Sequence, residues 1–467
     1  MEKKKSSKMG QSWVNHPASF RDKDGFVIEQ NGSIFRVISD TYQQNYSHLM
    51  QGGLYSKLVN NRQLIAHEEV ENFTGNESNK VIKPTQIPFI SYPYEWSFNQ
   101  LKQAALLTLD IQIEALNHQM TLKDASAFNV QFVGKKPIFI DTTSFEMLAP
   151  NKPWVAYGQF CRHFLAPLAL MAYTDLRLLS LATNFIDGIP LDLCAKLLPT
   201  KSKFNLGVLT HIHLHAKSVS KHESTQQKVH AKSISINALK AIVGHLKTTV
   251  DGLKIKSQKT EWDDYYTSNN NYTNSAFTAK KKWIELQLEK MNDLDLVWDM
   301  GANDGYFSKV ASTYTKQVVA MDIDPNAINR LASSKETPDN LLPLVIDLTN
   351  PTPSIGWATI ERDSIYARKK PDLITALALI HHLVIGNNVS FDKVAELLAN
   401  QTNQYLIIEF VDVEDSQVKK LTLNRPKQNW EHYHLDGFKL AFELYFVLEQ
   451  QFKVPEAERF LFLFRKK

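Results

Sequence analysis

The second half of the chain alternates short apolar runs with amphipathic helical patterns. The apolar runs with strand character, all downstream of Asp295, are LVWDM, QVVAMDI, LLPLVI, DLITALAL and QYLIIEF. Strands that alternate with helices predict a parallel sheet covered by helices on both faces. The pattern therefore predicts an α/β domain over residues 258–467, with a ligand crevice at the carboxyl ends of the strands.

The first half of the chain has a mixed pattern. The run GFVIEQNGSIFRVI predicts a β-hairpin, because Asn31 and Gly32 favour the left-handed turn that such hairpins need. A helical pattern from Tyr42 to Val59 follows, then two strand-like runs, LIAHEEV and IPFISYPYEW, and a helix from about Asn99 to His118. These elements predict an α+β domain over residues 20–215.

A polar segment separates the two patterns. Residues 216–235, AKSVSKHESTQQKVHAKSIS, are rich in lysine and serine and lack a sustained apolar period, as is typical of a linker. The following INALKAIVGHLKTTVDGLK has apolar residues at helical spacing and predicts a bridging helix. Residues 216–257 are therefore interpreted as a linker and a bridging helix.

Composition narrows the class of protein. A length of 467 residues suits two domains, and 43% hydrophobic and 22% charged residues are typical of a globular protein. No apolar run approaches the roughly 18 residues of a membrane span, and the basic start lacks the apolar core of a signal peptide, so a cytoplasmic location is expected. The net charge of +4 argues against a dedicated nucleic-acid binder. Cys161 and Cys194 are interpreted as buried thiols.

A glycine-containing turn supplies the first candidate binding residues. In DMGANDG, Asp299 ends the first strand, and Gly301 and Gly305 allow the backbone to turn tightly beside a ligand. Asp322 at the end of the second strand is placed to accept hydrogen bonds from a ribose diol, and Asp347 after the third strand to meet an adenine amino group. The candidate cofactor-binding residues are Asp299, Gly301, Asn303, Gly305, Asp322, Ile323, Asp347 and Leu348.

The glycine-containing turn has two alternative interpretations. A dinucleotide-binding Rossmann domain has a similar turn, but the third glycine of its G-x-G-x-x-G pattern is absent here. A purely structural turn explains the glycines and leaves Asp322 and Asp347 without a role.

The turn and the two later acids together resemble the class I S-adenosylmethionine-dependent methyltransferases. This resemblance implies S-adenosylmethionine as the cofactor and a Rossmann-like, seven-stranded, mainly parallel sheet whose last strand is inserted antiparallel. The terminal YFVLEQQFKVPEAERFLFLFRKK fits the closing pair of strands.

A second likeness covers NPTPSIGW, the dipeptide ER, LALIHHL and the upstream EWDDYYTSNNNYTNSAFTAKKKWIE. These segments resemble a bacterial group of methyltransferases that includes nodulation proteins and polysaccharide-locus enzymes. The group implies a small-molecule acceptor, a saccharide or another polar metabolite, and makes Tyr272 and Lys280 candidates for closing over the cofactor.

Three residues are candidates for the transfer step. His381 and His382 follow the fourth strand, and Glu409 closes the fifth. Histidine titrates near neutral pH and suits the removal of a proton from the acceptor. The alternatives are that the histidines pack beneath the adenine or cap a helix, and that Glu409 satisfies backbone donors.

The N-terminal half carries a second candidate site in MTLKDASAFNVQFVGKKPIFIDTTSFE. Asp124, Asn129 and Asp141 have the order of the catalytic and magnesium-binding residues of protein kinases, which this domain resembles. The resemblance implies ATP and Mg²⁺ as ligands. The hairpin lacks a glycine-rich loop, the expected lysine is missing, and Arg36 or Lys83 is the candidate replacement. The alternative is that the three residues are turn and cap residues.

Three histidines, His211, His213 and His215, alternate in THIHLHAK. On a strand they would share one face, as zinc ligands do, whereas the surrounding pattern predicts a helix and a role without metal. The leading hypothesis for the chain is a methyltransferase whose N-terminal domain selects the substrate or performs a second reaction. The rival hypotheses are a kinase regulated by S-adenosylmethionine and a binding protein without catalysis.

Overall fold

The computed structural model describes residues 13–71, 73, 79–218, 233–255, 273–427 and 430–467. Tyr272 and most of the predicted linker lie outside these residues. Within them, no helix is both long and apolar enough to cross a membrane.

The N-terminal half begins with a five-stranded antiparallel sheet in the order β1-β2-β3-β5-β4. Its strands are β1 (Val14–Asn15), β2 (Gly25–Gln30), β3 (Ser33–Ile38), β4 (His67–Val70) and β5 (Lys80–Pro84). The predicted hairpin is confirmed as β2 and β3, and its turn residues Asn31 and Gly32 have positive φ angles. The prediction of a strand over IPFISYPYEW is wrong. This run forms a loop and a helical turn at Pro93–Glu95, because its two prolines lack the backbone N–H groups that strand pairing requires.

Helices, a short hairpin and a further antiparallel strand pair complete this half. The helices are α1 (Gln43–Gln51), α2 (Leu54–Asn60), α3 (Phe98–Asn117), α4 (Tyr157–Phe160), α5 (Ala166–Tyr173), α6 (Leu181–Asn184), α7 (Leu191–Leu197) and α8 (Leu206–Val208), and the strands are β6 (Met120–Leu122), β7 (Val130–Val133), β8 (Lys136–Phe139) and β9 (Phe145–Met147), of which β7 and β8 form the hairpin and β6 and β9 the antiparallel pair. The helix predicted from Tyr42 to Val59 is two helices, since Gly53 adopts φ 81° between them. The buried helix α3 is confirmed, and a Ser97/Gln100 capping box fixes its start.

The C-terminal half contains a seven-stranded sheet in the order β12-β11-β10-β13-β14-β16-β15. Its strands are β10 (Leu294–Met300), β11 (Thr315–Asp322), β12 (Leu341–Val345), β13 (Leu373–Ala376), β14 (Tyr405–Val411), β15 (Phe446–Lys453) and β16 (Arg459–Lys466). All neighbours pair in parallel except β16, which is antiparallel to both β14 and β15. Strand β13 is shorter than DLITALAL predicts, because Ala378 takes a positive φ of 52° and turns the chain out of the sheet.

Helices cover both faces of this sheet. The bridging helix is α9 (Ile236–Gly252), and the later helices are α10 (Asn274–Lys290), α11 (Tyr306–Ala311), α12 (Pro325–Ser333), α13 (Phe391–Gln401), α14 (Ser416–Thr422) and α15 (Leu435–Glu443). The predicted bridging helix is thus confirmed. It is anchored to α3, where the Lys102 ammonium donates to the carbonyl oxygens of Asp251 and Leu253 at 2.5 and 3.2 Å.

The two halves share one buried core rather than meeting at a wet surface. Phe89 packs edge-on against Trp298 of β10 with ring centroids 5.9 Å apart. The side chain of Gln100 donates to the carbonyl oxygen of Pro343 at 3.0 Å, which joins α3 to β12. Arg368 forms a bidentate pair with Glu95 at 2.6 and 2.8 Å, and both side chains are almost fully buried. The relative position of the two halves is therefore held by directional contacts.

Candidate functional site

A cavity of about 260 Å³ opens at the carboxyl ends of β10 to β13. Its walls come from the loop that follows each of these four strands. The lining residues are Gly301, Asn303, Met321, Asp322, Ile323, Ile346, Asp347, Leu348, Thr349, Leu377, Ala378, Leu379, His382, Leu383 and Asn387. The cavity thus brings together six of the residues that the sequence marked for cofactor binding, and one of the two histidines.

The glycine turn forms the floor of this cavity. Gly301 has φ 79° and its amide donates to the carbonyl oxygen of Met321 at 2.9 Å, which ties the turn to β11. Gly305 has φ 76°, and a Cβ there would lie 2.6 Å from the Leu331 side chain. Gly301 therefore lines the cavity, whereas Gly305 allows α11 to pack closely on α12.

Asp322 is the most constrained acid of the site. One carboxylate oxygen accepts the backbone N–H of Asn303 and the other that of Asp324, each at 2.8 Å. Burial raises the pKa of Asp322 to about 6, and these two hydrogen bonds act against that rise. A carboxylate oxygen has more than one lone pair, so both oxygens keep acceptor capacity for a ligand in the cavity.

Asp347 and two apolar residues line the same cavity. The Asp347 carboxylate accepts the Thr349 backbone N–H at 2.8 Å and the Thr349 hydroxyl at 2.6 Å. Ile323 and Leu348 follow the acids of β11 and β12, and the side chain of Ile323 is 57% exposed. Exposed aliphatic side chains beside a carboxylate are the surroundings that a flat heteroaromatic ring with an amino group would need.

Asp299 has a different place from the one the sequence predicts. It lies inside β10 rather than at its end, is 3% exposed and is not among the residues that line the cavity. Its two carboxylate oxygens accept the hydroxyls of Ser308 and Thr375 at 2.5 and 2.7 Å. Asp299 therefore braces the start of α11 against β13, beneath the floor of the cavity.

The two histidines of LALIHHL differ in exposure to the cavity. Their rings are in contact, with centroids 4.1 Å apart, and only His382 lines the cavity. Burial lowers the pKa of His382 to about 4, and burial together with His382 holds the pKa of His381 well below its usual range. His382 is thus a neutral imidazole at physiological pH, which is the form that accepts a proton.

Glu409 and Lys280 form a buried ion pair instead of lining the cavity. The Lys280 ammonium on α10 donates to a Glu409 carboxylate oxygen at 2.7 Å, and the side chains are 2% and 0% exposed. Arg459 approaches the other oxygen at 3.8 Å and pairs with Asp415 at 2.8 Å. The prediction that Lys280 closes over the cofactor finds no support in this arrangement, since the pair fastens α10 to β14 and β16.

The three kinase-like residues of the N-terminal half also converge. Asn129 donates to the Ser144 hydroxyl at 3.0 Å, and that hydroxyl donates to Asp141 at 2.6 Å. Asp124 is largely buried, and burial together with the charge of Asp141 raises its pKa. Arg36 on β3 pairs with Asp141 at 2.7 Å. Arg36 rather than Lys83, whose ammonium lies over the Phe35 ring, therefore contacts this cluster.

The alternating histidines lie in a helical segment, as predicted. Leu209–Leu214 is a π-helical continuation of α8, in which His211 bonds to Tyr157 at 2.7 Å and to His245 of α9 at 2.8 Å. No group of three His, Cys, Asp or Glu residues in the described part of the chain has a geometry suited to a metal ion.

A curated relative covers almost the whole chain. Nodulation protein NoeA of Rhizobium meliloti (strain 1021) is 31% identical over 460 residues, which span 96% of this chain and 95% of the relative. The chain belongs to the NoeA family. No protein-family model matches it.

Several solved structures similar to this NoeA-family chain are methyltransferases. The N-methyltransferase NodS from Bradyrhizobium japonicum WM9 has a TM-score of 0.31 at 13% identity and covers 41% of this chain and 97% of its own. WbdD, crystallised with the kinase inhibitor LY294002, has a TM-score of 0.30 at 20% identity and covers 43% of this chain and 42% of its own.

Several cavity residues of the NoeA-family chain were missed by sequence reasoning. The set comprises Met321, Ile346, Thr349, Leu377, Ala378, Leu379, Leu383 and Asn387. Five of them follow β13, and the first three of those five belong to the run that was predicted as strand. The small Ala378 within an apolar run was the available signal, and it does not distinguish a strand end from a strand interior.

Proposed function

We propose that this protein is an S-adenosylmethionine-dependent methyltransferase that acts on a saccharide or another polar small molecule. The observation that carries the proposal is the convergence of Asp322 and Asp347, from the ends of adjacent parallel strands, on one cavity floored by the Gly301 turn. Asp322 would hold the ribose diol and Asp347 the adenine amino group, with Ile323 and Leu348 against the faces of the ring. The bound cofactor supplies an electrophilic methyl group.

The sheet order favours this proposal over a dinucleotide-dependent oxidoreductase. A classic dinucleotide-binding sheet is wholly parallel with strands in the order 3-2-1-4-5-6. Here the antiparallel β16 lies between β14 and β15, which is the inserted strand that the methyltransferase resemblance implies. The missing third glycine of the dinucleotide fingerprint agrees with this choice.

His382 is the proposed base of the transfer step. A bond from the acceptor oxygen or nitrogen to the methyl carbon forms as the carbon–sulfur bond breaks, and the acceptor proton passes to a base. His382 is neutral and lines the cavity, so it has the required form and place. His381 lies behind it and is proposed to position the His382 ring through their contact. Glu409 is proposed to have a structural role, because its two carboxylate oxygens face the cations of Lys280 and Arg459.

Cofactor binding and transfer are tested separately. Calorimetry with S-adenosylhomocysteine should show binding by the wild type and strong weakening by Asp322→Ala, while Asp192→Ala on the exposed surface of α7 should bind as the wild type does. Labelled-methyl transfer in an extract of the source organism should then be lost in His382→Gln with cofactor binding retained. Absence of binding by the wild type would refute the proposal.

A second candidate function belongs to the N-terminal half, where Asp124, Asn129 and Asp141 lie together. This convergence supports a kinase-like phosphotransferase that uses ATP and Mg²⁺, either as a second reaction or as the main activity with the C-terminal half as its sensor. Magnesium-dependent ATP turnover that is lost in Asp141→Ala and kept in Asp192→Ala would support it. Absence of both ATP turnover and ATP binding would refute it.

A further inference from the structure

The loop between β12 and β13 connects the cavity to the N-terminal half. It leaves the cavity at Thr349 and runs across the domain junction, where Arg21 pairs with Glu361 at 2.6 Å. The next residue, Arg362, places its guanidinium 4.3 Å from the centroid of the Phe128 ring. Phe128 belongs to the helical turn Ala127–Asn129, so a side chain of the C-terminal half lies directly beside the second candidate site.

Arg362 carries a partly buried charge without an acidic partner. Burial lowers the pKa of this guanidinium. Among the residues that the structure describes, none places a carboxylate oxygen within 4.0 Å of it, and its one hydrogen bond goes to the backbone carbonyl of Glu361 at 2.7 Å. The Glu361 carboxylate is itself occupied by Arg21 and by the backbone N–H of Trp357. Four of the five donors of the guanidinium therefore remain for a ligand.

A hydroxyl near Arg362 is also unpaired. Tyr94 is 5% exposed, and its buried hydroxyl has no hydrogen-bond partner within the described part of the chain. Its ring and that of His163 pack edge-on against Phe128, with centroids 6.4 and 6.0 Å away. The Arg362 guanidinium and the Tyr94 ring therefore both contact the Phe128 ring. A buried hydroxyl without a partner costs roughly 1–3 kcal/mol, so its retention calls for a partner.

We propose that Arg362 and Tyr94 form an oxyanion-binding site at the junction of the two domains, which takes a phosphate or carboxylate group of a small-molecule ligand. The guanidinium offers a planar fork that matches either oxyanion, and Phe128 holds that fork in place. Arg21 occupies the Glu361 carboxylate and so keeps that anion away from Arg362, and the His163 ring packs against Phe128 beside the site. The site is composite, since each half of the chain contributes to it.

This site extends the proposed function without depending on it. The site lies where the loop between β12 and β13 faces the N-terminal half, and the same loop lines the methyltransferase cavity at Thr349. An anionic acceptor or an anionic effector bound there would therefore contact both halves. Its occupancy is measurable in the absence of any methyl donor.

Binding of inorganic phosphate to the full-length protein tests the site. The ³¹P line width of phosphate is followed during titration, with sodium chloride added to keep ionic strength constant. Saturable broadening is expected for the wild type, with an affinity at least tenfold lower for Arg362→Gln and severalfold lower for Tyr94→Phe. Arg465→Gln, which removes an exposed arginine on β16, should match the wild type.

The same titration with acetate as competitor separates the two oxyanions. Displacement of phosphate by equimolar acetate identifies a carboxylate site, and retention of phosphate identifies a phosphoryl site. Near-ultraviolet circular dichroism and a cooperative thermal transition verify that each variant is folded. If Arg362→Gln is not folded, Arg362→Lys, which keeps the charge, provides a second variant. No saturable binding by the wild type, or binding by a folded Arg362→Gln within twofold of the wild type, overturns the proposal.

Discussion

Replacement of Asp322 by asparagine tests the cofactor site most directly. The change keeps the size of the side chain and one carbonyl acceptor, but it removes the charge and puts an amide NH₂ where one backbone N–H now donates. A hydrogen bond to a charged group contributes about 1.5–3 kcal/mol, so the loss of one ribose hydrogen bond, together with the charge that strengthens the other, costs at least about 1.5 kcal/mol. We therefore expect S-adenosylhomocysteine to bind at least about tenfold more weakly.

The pKa of Asp322 gives the same experiment a second readout. Its pKa of about 6 means that the carboxylate is ionised at pH 8 and about one-tenth ionised at pH 5. Hydroxyl donors favour the ionised form, so affinity should fall as the pH drops through 6, by about tenfold between pH 8 and pH 5. Asp322→Asn should lose this pH dependence because it has no proton to bind.

Calorimetry at pH 5, 6, 7 and 8 measures both effects. Asp192→Asn, at an exposed site on α7, is the matched control and should keep the wild-type affinity and its pH dependence. If Asp322→Asn bound the ligand within threefold of the wild type at pH 8, Asp322 would not contact the cofactor and the assignment of the cavity would be wrong.

Two stability predictions concern the frame around the cavity. Glu409→Gln leaves the Lys280 ammonium buried without its anion, so it should lower the free energy of unfolding by about 3–5 kcal/mol in urea denaturation. The control Glu449→Gln, on the surface, should change that free energy by less than about 1 kcal/mol. Equal effects of the two substitutions would contradict the interpretation of Lys280 and Glu409 as a buried ion pair. Gly305→Ala should lower the melting temperature by several degrees, because φ is 76° at this residue and the new Cβ would collide with Leu331. The control Gly244→Ala on α9 introduces a Cβ with no atom nearby and should leave the melting temperature unchanged or raise it. An unchanged melting temperature in Gly305→Ala would show that the turn relaxes freely.

The sequence predicts those parts of the structure that depend on local pattern. Alternation of apolar runs and helices located the five parallel strands of the large sheet, and the family resemblance supplied the closing pair β15 and β16. Parallel strands bring their carboxyl ends to one edge, so Asp322 and Asp347 could be assigned to a common cleft in advance. The Asn31-Gly32 hairpin and α3 were predictable for the same reason, since turn chemistry and helical periodicity are local.

The errors occur where a distant residue decides the role of a side chain. Asp299 accepts a hydrogen bond from Thr375, which lies 76 positions away in the sequence, and Glu409 accepts one from Lys280, which lies 129 positions away. Acids at strand ends have the same appearance in the sequence whether they face a ligand or a buried cation. In the sequence, the dipeptide Glu361-Arg362 appears only as part of a family likeness, and the role of Arg362 depends on Phe128, which belongs to the other half of the chain.

The Arg368–Glu95 pair constrains how this protein can be divided. A gene fragment that encodes the C-terminal half alone would lack Glu95, the counter-ion of Arg368, and would uncover the face of Trp298 against which Phe89 packs. An exchange of either half between relatives therefore requires matched partners for these residues.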